Sequence, residues 1–263
     1  MYADNFIQIY VTFAGFLFGA AIGSFLNVVI WRLPQGESIV FPGSHCPQCG
    51  NAISWYDNIP LLSWVFLGAK CRHCRGQISL RYPMVELVSA IFLAGYLNRF
   101  GIAAGVVWYL FTAALIVVTM IDLDHKIIPD EISLPGIPIG LLINMFVLSD
   151  NWKDGLIDGG LGALLGGGLL LAIALGYYAL TKTEGMGLGD PKLLGMIGAF
   201  VGWKGVIFTI LVSSLVGTLI GALFIALTGK SRKFQIPFGP FLALGAVTWV
   251  WLGPAAVRWY FGY

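Results

Sequence analysis

Two aspartates in this chain stand where acids are costly. Asp122 lies in Met120-Ile121-Asp122-Leu123-Asp124-His125, and Asp190 in Gly185-Met186-Gly187-Leu188-Gly189-Asp190, each at the end of a hydrophobic run. An ionisable group beside a bilayer points to function by default. Two carboxylates brought together can share a proton, which is the chemistry of an aspartic protease. One, ionised, takes a proton from water; the other, protonated, donates to a scissile carbonyl. Each acid also has a plainer role. Asp122 can be a helix-end charge facing headgroups, and Asp190, followed by Pro191, can be an N-cap. The presence of both on one side of the membrane favours chemistry. Gly185, Gly187 and Gly189 let the backbone approach another chain closely or open an edge to an extended peptide. Asp130 and Glu131 read as helix-start acids that favour the N-terminal dipole. Asp124 and His125 read as solvated connector residues. No Ser-His pair or HExxH motif competes.

All four cysteines fall in one polar stretch. Cys46-Pro47-Gln48-Cys49 and Cys71-Arg72-His73-Cys74 are two C-x2-C knuckles with 21 residues between them. Two knuckles complete a tetrahedral four-thiolate site for zinc. Two disulfides would need an oxidising compartment, and an iron–sulfur cluster is compatible with the spacing. A closed all-cysteine zinc site leaves no open position for water, so its role is structural. His45 and His73 read as solvated neighbours.

These residues must be positioned by membrane helices. The 263 residues are 58% hydrophobic and only 11% charged, against about 25% charged in a soluble domain. Hydrophobic runs near 7–30, 84–98, 103–121, 132–148, 157–180, 191–203, 205–227 and 238–257 predict about eight transmembrane helices. The expected fold is an all-α polytopic membrane protein with a small cytoplasmic four-cysteine zinc-binding loop, roughly 31–82. The start, Met1-Tyr2-Ala3-Asp4-Asn5, lacks the basic region of a signal peptide, so the first run reads as a retained helix. Of the 15 lysines and arginines, all but Arg99, Lys153, Lys204 and Arg258 fall in loops on the side of the cysteines. The positive-inside bias therefore places the N-terminus outside and the loop, Asp122 and Asp190 at the cytoplasmic face. No basic tract or RNA-binding signature points to nucleic acid.

The ordered set of motifs resembles the bacterial type IV prepilin peptidases, or leader peptidase/N-methyltransferases. It runs from Gly23-Ser-Phe-Leu-Asn27-Val-Val-Ile-Trp-Arg32-Leu-Pro34 through the two knuckles and Asn58-Ile-Pro-Leu-Leu-Ser63. It continues through Arg81-Tyr-Pro-Met-Val-Glu86-Leu and Ile121-Asp122 to Pro129-Asp130. It ends with Gly185 to Lys192 and Pro237-Phe-Gly-Pro240-Phe-Leu-Ala. The resemblance implies a GxGD-type aspartic peptidase of the bacterial inner membrane, with catalytic acids at Asp122 and Asp190. It implies cleavage of the basic leader of prepilins, or of type II secretion pseudopilins, after a glycine at the cytoplasmic face. Methylation of the new N-terminus by S-adenosylmethionine would follow. It associates the cysteine loop with methylation, giving an expected division into residues 1–82 and a peptidase domain at 83–263. The insertion that some members carry after Arg-Leu-Pro is absent. No Rossmann-like G-x-G loop marks a methyl-donor site. Asn27 and Glu86, polar groups at membrane edges, are candidates to bind the donor or the substrate amine, or to pair with Arg32 or Arg81. The competing readings are a peptidase without methylation, an ion-coupled transporter, which needs acids near the midplane, and a zinc-stapled scaffold.

Overall fold

The computed structural model describes residues 2–183, 187–228 and 237–261. Gly185 and Met186 of the glycine motif, and Lys230, Arg232 and Lys233, lie outside them. The α-helices among the described residues are α1 (Tyr2–Arg32), α2 (Leu62–Phe66), α3 (Arg81–His125), α4 (Asp130–Ile143), α5 (Trp152–Thr181), α6 (Gly189–Thr228) and α7 (Gly239–Phe261). Two isolated β-bridges are the only extended pairing among the described residues. Five helices are long and apolar enough to cross a membrane, and Gly239–Gly253 of α7 is a shorter apolar helix. This is a membrane protein.

Two of the five are not single rods. As a straight helix, the 45 residues of α3 would span about 68 Å, more than twice the roughly 30 Å hydrocarbon layer. The Ser89 and Tyr109 hydroxyls lie 2.7 Å apart, and those of Tyr96 and Thr112 lie 2.8 Å apart. Twenty residues of straight helix would put the first pair about 30 Å apart. The chain doubles back at Gly101, whose φ of 75° and ψ of −176° suit only glycine. Ser89 also donates to the Gly19 carbonyl at 2.6 Å. Its one proton is then used, so the Tyr109 hydroxyl donates to Ser89. A single serine ties α1 to both arms of the hairpin.

In α6, Gly202 has φ 72° and ψ 176° and breaks the helix in the same way. A break in an apolar environment frees backbone groups that must find partners. The buried Asn144 amide donates to the Ala199 and Phe200 carbonyls at 3.2 and 3.4 Å. On the far side of the break, Asp158 accepts from the Trp203 N–H.

The chain forms two compact units, Met1–Val117 and Val118–Tyr263. In the first, Gly15, Gly19 and Gly23 make a stripe along α1 that meets the backbone of Ala94, Ala90 and Glu86 on α3. A Cβ on Gly23 would lie 2.6 Å from the Glu86 Cα. In the second, Gly162 and Gly166 of α5 press on Gly198 and Leu194 of α6, while Gly136 and Gly140 of α4 receive Met196 and Phe200. Small residues that let helices approach closely are how membrane helices gain packing energy.

Candidate active site and cysteine centre

Both aspartates fall in the second unit. The apolar pattern ends near Ile121, but the helix runs on to His125, so Asp124 and His125 are helical rather than connector residues. The last turn is closed by the Lys126 N–H on the Asp122 carbonyl at 2.9 Å, with Lys126 left-handed at φ 57°. Asp122 is buried, and its Oδ2 accepts the Gly239 N–H at 2.9 Å. A Cβ on Gly239 would stand 2.6 Å from that oxygen. The Pro237-Phe-Gly-Pro240 motif thus supplies the donor that orients the first acid.

Asp190 sits half-buried in the first turn of α6. A Cβ on the preceding Gly189 would lie 2.9 Å from Cβ of Ile128, in the connector after Asp122. Lys192 holds both carboxylate oxygens of Asp130 at 2.8 Å, joining the starts of α4 and α6. Asp130 and Glu131 occupy the first turn of α4, the dipole-favoured position expected of them. The connector, these helix starts and the Gly239 turn bring the two acids together. The charge of Asp122 acts on Asp190.

The cysteines converge in the first unit. The four sulfurs lie within 4.8 Å of one another. Cys46 Sγ and Cys74 Sγ are 3.9 Å apart, close to the roughly 3.8 Å edge of a tetrahedron with 2.3 Å zinc–sulfur bonds. The second knuckle repeats the first after 25 residues: His45 pairs with Ala52, and Lys70 with Gln77. In each, the leading cysteine N–H donates across the bridge, Cys46 to Asn51 at 2.9 Å and Cys71 to Gly76 at 2.8 Å. Backbone N–H groups of Cys74 and His73 pull the Cys71 thiol down to about 6. At Cys74 the Gly76 N–H pulls the same way, but burial and the neighbouring thiols Cys71, Cys49 and Cys46 push it up to about 11. Four thiols so close cannot all ionise without a cation, and a divalent ion of zinc's size and preference fits the group. His45 and His73 are exposed, as expected of solvated neighbours.

Asn27 and Glu86 both lie in the first unit. Both are 8% exposed, and both line a cavity of about 400 Å³ between α1, the cysteine module and the start of α3. Asn27 continues the glycine stripe by one turn and donates to the Gly23 and Tyr82 carbonyls at 3.3 and 3.1 Å. Glu86 accepts the Leu61 N–H at 2.8 Å and bonds the Ser24 hydroxyl. Arg32 does not pair with them; it donates to the Ser38 and Gly43 carbonyls.

Residues 17–100 match the bacterial peptidase A24 N-terminal domain, and residues 109–222 match the type IV leader peptidase family. The prepilin leader peptidase/N-methyltransferase of Pseudomonas aeruginosa is 38% identical over 262 residues, covering 89% of this chain and 88% of the relative. That of Aeromonas hydrophila is 38% identical, with 93% and 92% covered. That of Myxococcus xanthus is 40% identical over 83% of this chain and 65% of the relative. The chain belongs to the type IV leader peptidase family. No solved structure matches it.

Three functional features of this leader peptidase fold escaped the sequence reading. Gly239 was visible as part of a motif, but its bond to Asp122 spans 117 residues. Leu61, inside the Asn58–Ser63 motif, gave no sign that its N–H serves Glu86. The 25-residue repeat was readable, because Ile53 and Ile78 each follow their second cysteine by four residues.

Proposed function

We propose that this chain cleaves the basic leader of type IV prepilins or type II secretion pseudopilins and then methylates the new N-terminus with S-adenosylmethionine. Asp122 and Asp190 are the catalytic pair. The observation that carries this is one buried acid, oriented by the Gly239 N–H, placed within electrostatic reach of a second at a helix start. One carboxylate, ionised, takes a proton from the attacking water while the other, protonated, donates to the scissile carbonyl oxygen. The relatives' names carry the two activities and the prepilin substrate.

Zinc, held by Cys46, Cys49, Cys71 and Cys74, staples a module with few buried apolar side chains of its own. S-adenosylmethionine supplies the methyl group. In this reading residues 1–82 serve methyl transfer and 83–263 cleavage, with Glu86 contributed from the junction. With α3 and α6 each doubled at a glycine and α7 spanning as well, the chain crosses the bacterial inner membrane eight times. The N-terminus is periplasmic and the active site faces the cytoplasm, where a prepilin's basic leader resides and its apolar helix extends into lipid.

Mass spectrometry of a prepilin incubated with the purified chain and S-adenosylmethionine tests this. The expected product has lost its leader and carries one added methyl. A leaderless, unmethylated product reduces the function to cleavage. An intact prepilin, tested across pilin and pseudopilin substrates, contradicts the proposal.

A further inference from the structure

The cavity of the first unit is lined at one end by hydrogen-bond acceptors. Asn27 spends amide N–H groups on the Gly23 and Tyr82 carbonyls, so its Oδ1 is left as an acceptor. Glu86 takes its bonds from a backbone N–H and a hydroxyl, and neither is a cation. Trp31, Trp64 and Tyr82 add aromatic surface to the same cavity. A buried carboxylate beside an amide oxygen and aromatic rings is the environment that a compact cation finds favourable.

A second observation marks this end of the cavity. Leu61 has φ 63° and ψ −50°, and the Leu62 N–H reaches the Pro60 carbonyl at 2.7 Å. This is a γ-turn of the rare, strained hand. Strain of this kind persists only where surrounding structure enforces it, and it clusters at ligand sites. Here it aims the Leu61 N–H at Glu86 Oε2. The strained segment is braced from the cysteine module. Arg72, inside the second knuckle, grips both oxygens of Asp57 at 2.7 and 2.6 Å. The Ser63 hydroxyl bonds the Tyr56 carbonyl at 3.1 Å and receives the Ile59 N–H at 2.9 Å.

We propose that this cavity is the methyl-donor site, and that Glu86 and Asn27 receive the sulfonium of S-adenosylmethionine while the aromatic wall takes its purine. The volume of about 400 Å³ lies within the roughly 300–1,000 Å³ usual for small-molecule sites. The inference rests on the reading that this chain methylates its product, and it adds where the donor binds and why a charged donor is preferred to its neutral by-product. Methyl transfer converts the sulfonium to a thioether, so a carboxylate at that point holds the donor and releases the spent molecule.

The test is a ratio of affinities in the purified full-length, zinc-loaded chain. Sinefungin carries an amine where the donor carries its sulfonium; S-adenosylhomocysteine carries a neutral thioether. Equilibrium dialysis should show the wild type preferring sinefungin by about tenfold, as a charge-assisted contact implies. Glu86→Gln should bring that ratio close to one while keeping its zinc and its affinity for S-adenosylhomocysteine. Glu86→Asp should keep the preference. An unchanged ratio in zinc-replete Glu86→Gln overturns the site. Ultraviolet cross-linking of radiolabelled S-adenosylmethionine to the wild type gives a check that needs no variant. The adduct should map to peptides holding Trp31, Trp64 or Tyr82, and mapping elsewhere overturns the proposal. A wild type that methylates while failing these tests has its donor site elsewhere, and the function stands. A wild type that neither binds sinefungin nor methylates removes the methyl-transfer reading and this site with it.

Discussion

At Gly239 the absence of a side chain and the presence of an N–H serve the same acid. The N–H fixes Asp122 Oδ2 at 2.9 Å, and a methyl group there would sit 2.6 Å from that oxygen. Gly239→Ala should therefore turn the carboxylate away. Leader release, followed by gel shift of a prepilin, should fall by about two orders of magnitude, the cost of a catalytic group misplaced by about an ångström. Zinc content should be unchanged, because the cysteines belong to the other compact unit. Cleavage at the wild-type rate would show that this bond does not position Asp122. The cysteines invite the complementary experiment. Cys46→Ser should lose zinc by metal analysis and depress methylation more than cleavage, since the 55–63 segment that reaches Glu86 is braced by the second knuckle through Arg72. Equal loss of both activities would mean that the module supports the whole fold. The candidate acids and the four-cysteine cluster were legible in the sequence because carboxylates at the ends of apolar runs and C-x2-C spacing are local signals. The partners of those residues were not, since a backbone N–H from 117 residues away leaves no local trace.

Among the elements, what positions the acids is a set of breaks as much as a set of helices. The expected gap between the runs 84–98 and 103–121 contains Gly101, and the gap after 191–203 falls next to Gly202, so both breaks left a mark in the hydropathy pattern. What the pattern does not carry is how a break is made tolerable. Asn144 and Asp158 take the groups on either side of Gly202, and nothing in the periodicity marks them for it. Asn144→Ala should leave the Ala199 and Phe200 carbonyls without that donor, at a cost of about 1–3 kcal/mol for an unsatisfied buried group. Thermal unfolding in detergent, followed by circular dichroism, should show a lower midpoint, with residual cleavage tracking the folded fraction. An unchanged midpoint would mean that the break needs no side-chain partner. Replacing Gly198 by Leu should be harsher still, because its neighbour across the helix pair is the backbone of Gly162, which cannot yield as a side chain would.

At the scale of the whole molecule, the residues proposed for the two chemistries fall into separate compact units: the cysteines, Asn27 and Glu86 in Met1–Val117, the aspartates and Gly239 in Val118–Tyr263. The overall class was legible from composition, because a chain with 11% charged residues has few structures open to it besides membrane helices. Where the compact units divide, after Val117, was not, since it depends on which small-residue stripes find each other. Separate units imply separable activities. The most direct measurement gives purified Asp122→Asn two substrates with S-adenosylmethionine, a full prepilin and the same pilin already lacking its leader, and reads both by mass spectrometry. The full prepilin should stay intact while the leaderless pilin gains a methyl at the wild-type rate. Release of the leader by Asp122→Asn would contradict the assignment of the catalytic pair.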